Sequence, residues 1–240
     1  MAENQRKKNE NSFSKRKELI LNIIIREHIK TGTPVGSGVI VDKYKLNISP
    51  ATVRNEMMAL EKEGFIIQPH TSAGRVPTEK AYLLYLENLK PARLNQKEAA
   101  GIKKTIGRRR ELDFKNAAKV LAKLSGNAVF WALAQNNFYY TGLSNLWQQP
   151  EFRQMDLIYN ISAVIDELDE VVENIFQRIS DGIHILIGSQ NPFGDFCSTV
   201  VVKYRQAGKA GLFGILGPIR MNYEKNIALV GFINEKIMRK

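Results

Sequence analysis

The sequence predicts an α+β fold in two parts: an N-terminal winged helix-turn-helix domain, then a domain with helices before and after a sheet of about five strands. Three observations predict it. Apolar residues repeat with helical period up to residue 64, then give way to two short extended runs around a turn-rich loop. Residues 91–96 (PARLNQ) have the composition of a linker. Beyond them, apolar runs of strand length are flanked by longer helical patterns.

Residues 1–13 are polar and charged and read as a tail. From Ser14, Leu19, Ile20, Ile23, Ile24 and Ile29 form a helical stripe that ends near Thr31 and Gly32. A second helix runs from Ser37 to about Tyr44 and is expected to bury Val39 and Ile40. Leu46, Asn47 and Ile48 turn the chain into a third helix over 49–64. Ser49 can cap that helix, Pro50 suits its first turn, and Gly64 can end it in the left-handed conformation. Val53, Met57 and Leu60 fall on one face at spacings of four and three. Residues 65–68 and 76–77, joined by a polar loop, read as a hairpin wing. Thr78 can cap a further helix that continues to about Leu89. The domains are therefore placed at 1–90 and 97–240, with a linker at 91–96.

In the second domain, residues 97–110 are polar and basic and end in Arg108, Arg109 and Arg110. That triplet reads as a solvated helix end or as a nucleic-acid or partner contact. A helix through 117–124 stops at Gly126, and strands at 128–134 and 138–141 are joined through a tight hairpin at Gln135, Asn136 and Asn137. Residues 150–179 read as helix, with Ile161, Val164, Ile165, Leu168, Val171, Val172, Ile175 and Phe176 apolar. Strands follow at 183–187, 197–203 and 211–216. A closing helix from about Asn222 carries Ile227, Val230, Ile233 and Ile237.

The 240 residues carry 35 Lys and Arg against 24 Asp and Glu, a net charge of +11. This points to a polyanionic partner without choosing among nucleic acid, ribosome and membrane surface. One cysteine excludes an intrachain disulfide and a cysteine-cluster metal site, and Cys197 reads as a buried small hydrophobe. His28, His70 and His184 are too few and too scattered to suggest a metal centre. The acidic cluster from Asp166 to Glu173 reads as a solvated helix face. Gly208, Gly211, Gly214 and Gly217 open no helix in a nucleotide-binding spacing. Neither an enzyme nor a cofactor is expected. No run reaches membrane-spanning length, so the expected compartment is the cytoplasm.

DNA binding is the reading with a mechanism. Ser49, Ala51, Thr52, Arg54 and Asn55 offer donors, acceptors and a methyl-sized contact near a helix start, as major-groove reading needs. Arg54 has a second reading, as a packing or phosphate contact. His70, Thr71, Ser72, Gly74 and Arg75 of the wing are placed to follow the DNA backbone or minor groove.

PVGS at 34–37, SPATVRN at 49–55 and QPHTSAGRVPT at 68–78 together resemble the HrcA heat-inducible transcription repressors. LAKLSG at 121–126, GLSNL at 142–146, QPEF at 149–152 and GPIRMNY at 217–223 extend the resemblance over nearly the whole chain. The resemblance implies a winged helix followed by a GAF-like domain, and a dimer binding an inverted-repeat operator of chaperone operons in the stress response. It adds Ser37 to the DNA-contacting set and implies chaperonin as a modulating partner. A small-metabolite sensor in the GAF-like domain is the alternative. Two departures stand out. The family usually has Arg after Val-Gly-Ser, where this chain has Gly38, and its inserted dimerisation domain is missing here, with only residues 127–139 between the flanking motifs. A homodimer, at least on DNA, must then form elsewhere. The exposed side of the 78–89 helix and the GAF-like helices are the candidates.

Overall fold

The computed structural model describes residues 15–71, 73–106, 111–134, 137–153, 168–206 and 209–238. The expectations for the 1–13 tail, Ser72, the Arg108–110 triplet, the hairpin tip at 135 and 136 and the 154–167 stretch lie outside those residues. The chain divides into two units, Met1–Asn88 and Leu89–Lys240.

The first unit contains α1 (Lys15–Thr31), α2 (Ser37–Tyr44), α3 (Pro50–Lys62), β1 (Ile66–Ile67), β2 (Val76–Pro77) and α4 (Glu79–Glu87). This is the element order of a winged helix-turn-helix. The Ser49 hydroxyl accepts the Thr52 amide at 3.1 Å, Pro50 opens α3, and Gly64 follows it at φ +77°. Thr78 caps α4 by accepting the Ala81 amide. Ile20, Ile24, Ile40, Val53, Leu60 and Ile66 are fully buried and form the core between the helices and the ribbon. Val39 departs from expectation and is 49% exposed. In a helix of two turns, Ser37 and Ile40 take the inward face three residues apart, and Val39 is turned away from it.

Glu27 is the buried charge among the described residues of this unit, 3% exposed. Its carboxylate accepts from the Lys43 ammonium and from the Tyr44 hydroxyl at 2.7 Å, with Lys30 at 3.5 Å. The bonds from Lys43 and Tyr44 hold the Glu27 carboxyl below its ordinary value of 4.5. Burial, reinforced by Glu27, pushes the Tyr44 phenol up to about 12. A depressed carboxyl contributes stability that is present above its unfolded value and lost as pH falls through the folded one. Below about pH 4.5 the urea midpoint of the wild type is therefore expected to fall more steeply than that of Glu27→Gln. Parallel curves for the two proteins would contradict this.

The second unit contains α5 (Gln96–Thr105), α6 (Glu111–Ser125), β3 (Ala128–Ala134), β4 (Asn137–Thr141), α7 (Leu143–Trp147), a 3-10 turn (Pro150–Arg153), α8 (Leu168–Arg178), β5 (Gly182–Ile187), β6 (Cys197–Gln206), β7 (Lys209–Pro218) and α9 (Tyr223–Met238). The sheet order is β4-β3-β7-β6-β5, with every neighbouring pair antiparallel. This is the α+β, GAF-like part of the fold. Asn95 and Glu98 form a capping box, so α5 takes over the end of the stretch read as a linker. The helix expected over 150–179 is corrected at its start, where Pro150 opens a 3-10 turn; among the described residues α8 begins only at Leu168. Lys203 donates to the Phe176 and Ile179 carbonyls at 2.6 and 3.0 Å, supporting the C-terminal end of α8.

Both faces of the sheet are covered, which explains its uninterrupted apolar runs. Ala128, Phe130 and Ala132 face Leu146, Phe152, Val172 and Ile175. On the other face Trp131 stacks on Phe213 at 4.4 Å, lies 5.0 Å from Phe114 of α6, and donates its indole N–H to Tyr204 at 2.9 Å. A Cβ at Gly211 would come within 2.3 Å of the Tyr204 ring, and one at Gly214 within 2.7 Å of the Phe130 ring. These glycines admit neighbouring aromatic rings.

The motifs of this unit interlock. Asn145 of GLSNL donates to the Ala122 and Asn127 carbonyls at 3.2 and 3.0 Å, tying α7 to the end of α6. Arg220 of GPIRMNY pairs with Glu151 of QPEF and donates to Gln149 at 2.8 Å.

Candidate nucleic-acid interface

The exposed face of α3 consists of Ala51, Arg54, Asn55 and Met58, at helical spacings of three and four. Ser49, exposed, and Thr52, half-buried, stand at the start of the helix. The Thr52 amide donates to Ser49, and the two hydroxyls lie 3.0 Å apart, so both residues serve the cap. Met58, 57% exposed, is the residue that sequence reading missed. Its signal was indirect: once Val53, Met57 and Leu60 take the core, the residue after Met57 must face outward.

The wing is built by Gln68 and Glu61. The Gln68 side-chain amide donates to the Thr71 and Ala73 carbonyls at 2.8 and 3.1 Å, and the Ala73 amide donates to His70 at 2.9 Å. The Glu61 carboxylate, on α3, accepts from the Gln68 amide at 3.1 Å and from the Arg75 guanidinium at 2.9 and 3.0 Å. One carboxylate thus holds both ends of the wing loop.

Arg75, expected to meet DNA, also holds the wing to α3. Its guanidinium is committed to Glu61 and its side chain is only 15% exposed. Its backbone exchanges two hydrogen bonds with Val35, at 2.8 and 2.9 Å. Gly74 allows that bridge, because a Cβ there would lie 2.4 Å from the Val35 carbonyl carbon. The bridge joins PVGS at 34–37 to the wing motif at 68–78.

Ser37, Arg54, Thr71, Gly74 and Arg75 meet, with Gln68, around a cleft of about 370 Å³. Ala51 and Asn55 stand on the open face of α3, and His70 on the exposed wing loop. Among the described residues no group of His, Cys, Asp or Glu is arranged to hold a metal ion. His28 is hydrogen-bonded to the Tyr82 hydroxyl at 2.8 Å. Cys197 is buried, which pushes its thiol well above the ordinary range. No helix among the described residues is long and apolar enough to cross a membrane.

A family model described as the HrcA protein C terminal domain matches residues 49–227. The chain belongs to the HrcA family. Curated HrcA relatives include the heat-inducible transcription repressor of Carboxydothermus hydrogenoformans, 27% identical over 93% of this chain and 96% of the relative. That of Moorella thermoacetica is 27% identical over 91% and 95%. The Thermobifida fusca repressor is 33% identical over 72% of this chain and 53% of the relative. The first alignment runs over 331 positions whereas this HrcA chain has 240 residues, so it is a short form. The fold is shared with a crystal structure described as that of a hypothetical protein, at a TM-score of 0.76 and 18% identity, over 93% of this chain and 97% of that one.

Proposed function

We propose that this HrcA-family chain is a repressor of heat-shock (chaperone) operons that binds an inverted-repeat operator through α3 and the wing. It acts without catalysis and with chaperonin as its modulator. The observation that carries the DNA reading is the fixed pairing of an exposed helix face (Ala51, Asn55, Met58) with a wing anchored on the same helix through Glu61. The curated relatives, named heat-inducible transcription repressors, support the regulatory part. A two-fold operator asks for a two-fold dimer. We place that contact on α4, which exposes Leu83 and contributes Leu84 and Tyr85 to a groove of about 460 Å³ lined also by Leu21 and Ile25. Light scattering that finds a monomer both free and on operator DNA would reject the dimer.

The test is binding to an inverted-repeat duplex, selected from a random library, against a scrambled one, with and without chaperonin. Asn55→Ala is expected to lower affinity for the selected duplex by roughly 5- to 150-fold, the equivalent of 1–3 kcal/mol for a base-reading contact, with little loss on the scrambled one. Equal loss on both would remove Asn55 from the base-reading set.

A further inference from the structure

The cleft between α2, α3 and the wing loop gathers donors that nothing among the described residues uses. Ser37 is nine-tenths buried and lines the cleft, and its hydroxyl has no hydrogen-bond partner among the described residues. A hydroxyl on a cleft wall with no partner in the protein is free to donate to a ligand seated there. The start of α2 opens here too. Its N-cap is Gly36, which has no side chain to accept a bond, so the amides ahead of Ile40 have no intrahelical acceptor. Arg54 reaches the same cleft from α3, exposed and with no ion-pair partner among the described residues. The other cation of the lining, Arg75, is already neutralised by Glu61. Gly74, which has no side chain, leaves the mouth open beside the wing.

We propose that this cleft seats a phosphodiester of the DNA backbone, with the Ser37 hydroxyl, the first-turn amides of α2 and the Arg54 guanidinium as its donors. Free amides at a helix start favour an anion, whereas the edge of a base is neutral. The inference rests on the DNA-binding reading above and refines it. Arg54 becomes a backbone contact that sets the docking register, and base edges are left to Ala51, Asn55 and Met58.

The experiment is a salt titration of binding, from about 50 to 200 mM, on the selected and the scrambled duplex. Arg54→Gln is expected to weaken both duplexes by the same factor and to reduce the slope of log K against log salt by about 1. Arg54→Lys should keep the slope. Ser37→Ala should weaken both duplexes equally with the slope unchanged. Melting curves on each variant separate these losses from unfolding. An unchanged slope with lost discrimination in Arg54→Gln would make Arg54 a base reader and overturn the assignment, as would wild-type binding by both variants. Inorganic phosphate, at matched ionic strength, is the second arm. A melting shift that Ser37→Ala abolishes, alongside unaltered DNA binding, would make the cleft a free-phosphate site and overturn the DNA source. If the wild type binds neither duplex in a salt-dependent way, the DNA-binding reading itself fails, which is a different result from any of these.

Discussion

Gly74→Ala is expected to cost the protein most of its DNA affinity while its helical core stays folded. The added methyl would meet the Val35 carbonyl carbon, the Val35 oxygen and the Gly36 nitrogen at 2.4, 2.5 and 2.8 Å. All three are backbone atoms, so no side-chain rotation relieves the overlap. Either the Val35–Arg75 bridge opens or the wing loop is displaced. Opening the bridge forfeits two hydrogen bonds, each contributing about 0.5–1.5 kcal/mol. Displacing the loop pulls Arg75 off Glu61. The expected stability loss is about 2–4 kcal/mol, with a fall in affinity of at least roughly tenfold on any duplex, because each tenfold step equals about 1.4 kcal/mol. Amide exchange at Val35 and Arg75 reports the bridge directly. Wild-type protection at both amides together with wild-type binding would sink the prediction.

Trp131→Ala should produce the largest loss in the second unit, about 3–5 kcal/mol for deleting a buried aromatic side chain. It removes the stack on Phe213 and the contact with Phe114, and leaves the Tyr204 hydroxyl without its indole donor. Tyr204 is buried, so its hydroxyl oxygen has no water to replace the lost donor. Trp131→Phe keeps an aromatic ring against Phe213 and should recover most of the stability. Calorimetry is expected to show the transition of the second unit lowered and that of the first unmoved. A transition unchanged in Trp131→Ala would mean that this aromatic cluster is not the core of its unit.

What the sequence made legible was local. The cap, first turn and terminating glycine of α3 all lie within residues 49–64, and each acts on groups one to four positions away. The wing was legible because Val76 and Pro77 are strand-like where Thr78 already signals the next helix. The ion pair of Arg75 was not legible because its partner Glu61 is 14 residues away, across a turn that no local pattern encodes. Glu27 escaped notice for the same reason: Lys43 and Tyr44 come from another helix. Val39 was expected inside and is exposed, and Met58, also exposed, was passed over. An apolar residue carries no label saying inside or outside, and only the orientation of the whole helix decides it. Family motifs in the second unit announced themselves by similarity, yet their work of clasping α6, α7 and the 3-10 turn together was invisible until the chain was folded.

Glu61 also bears on which partner yields during recognition. Because a single carboxylate on α3 grips the wing at Gln68 and Arg75, the proposed mode of binding asks the flank of the site to come to the protein. A duplex stiff in that flank is penalised for bending, and a pliant one is not. On the proposed mode of binding, the protein is expected to distinguish sequences that none of its side chains touches, using the elasticity of the DNA as a second alphabet.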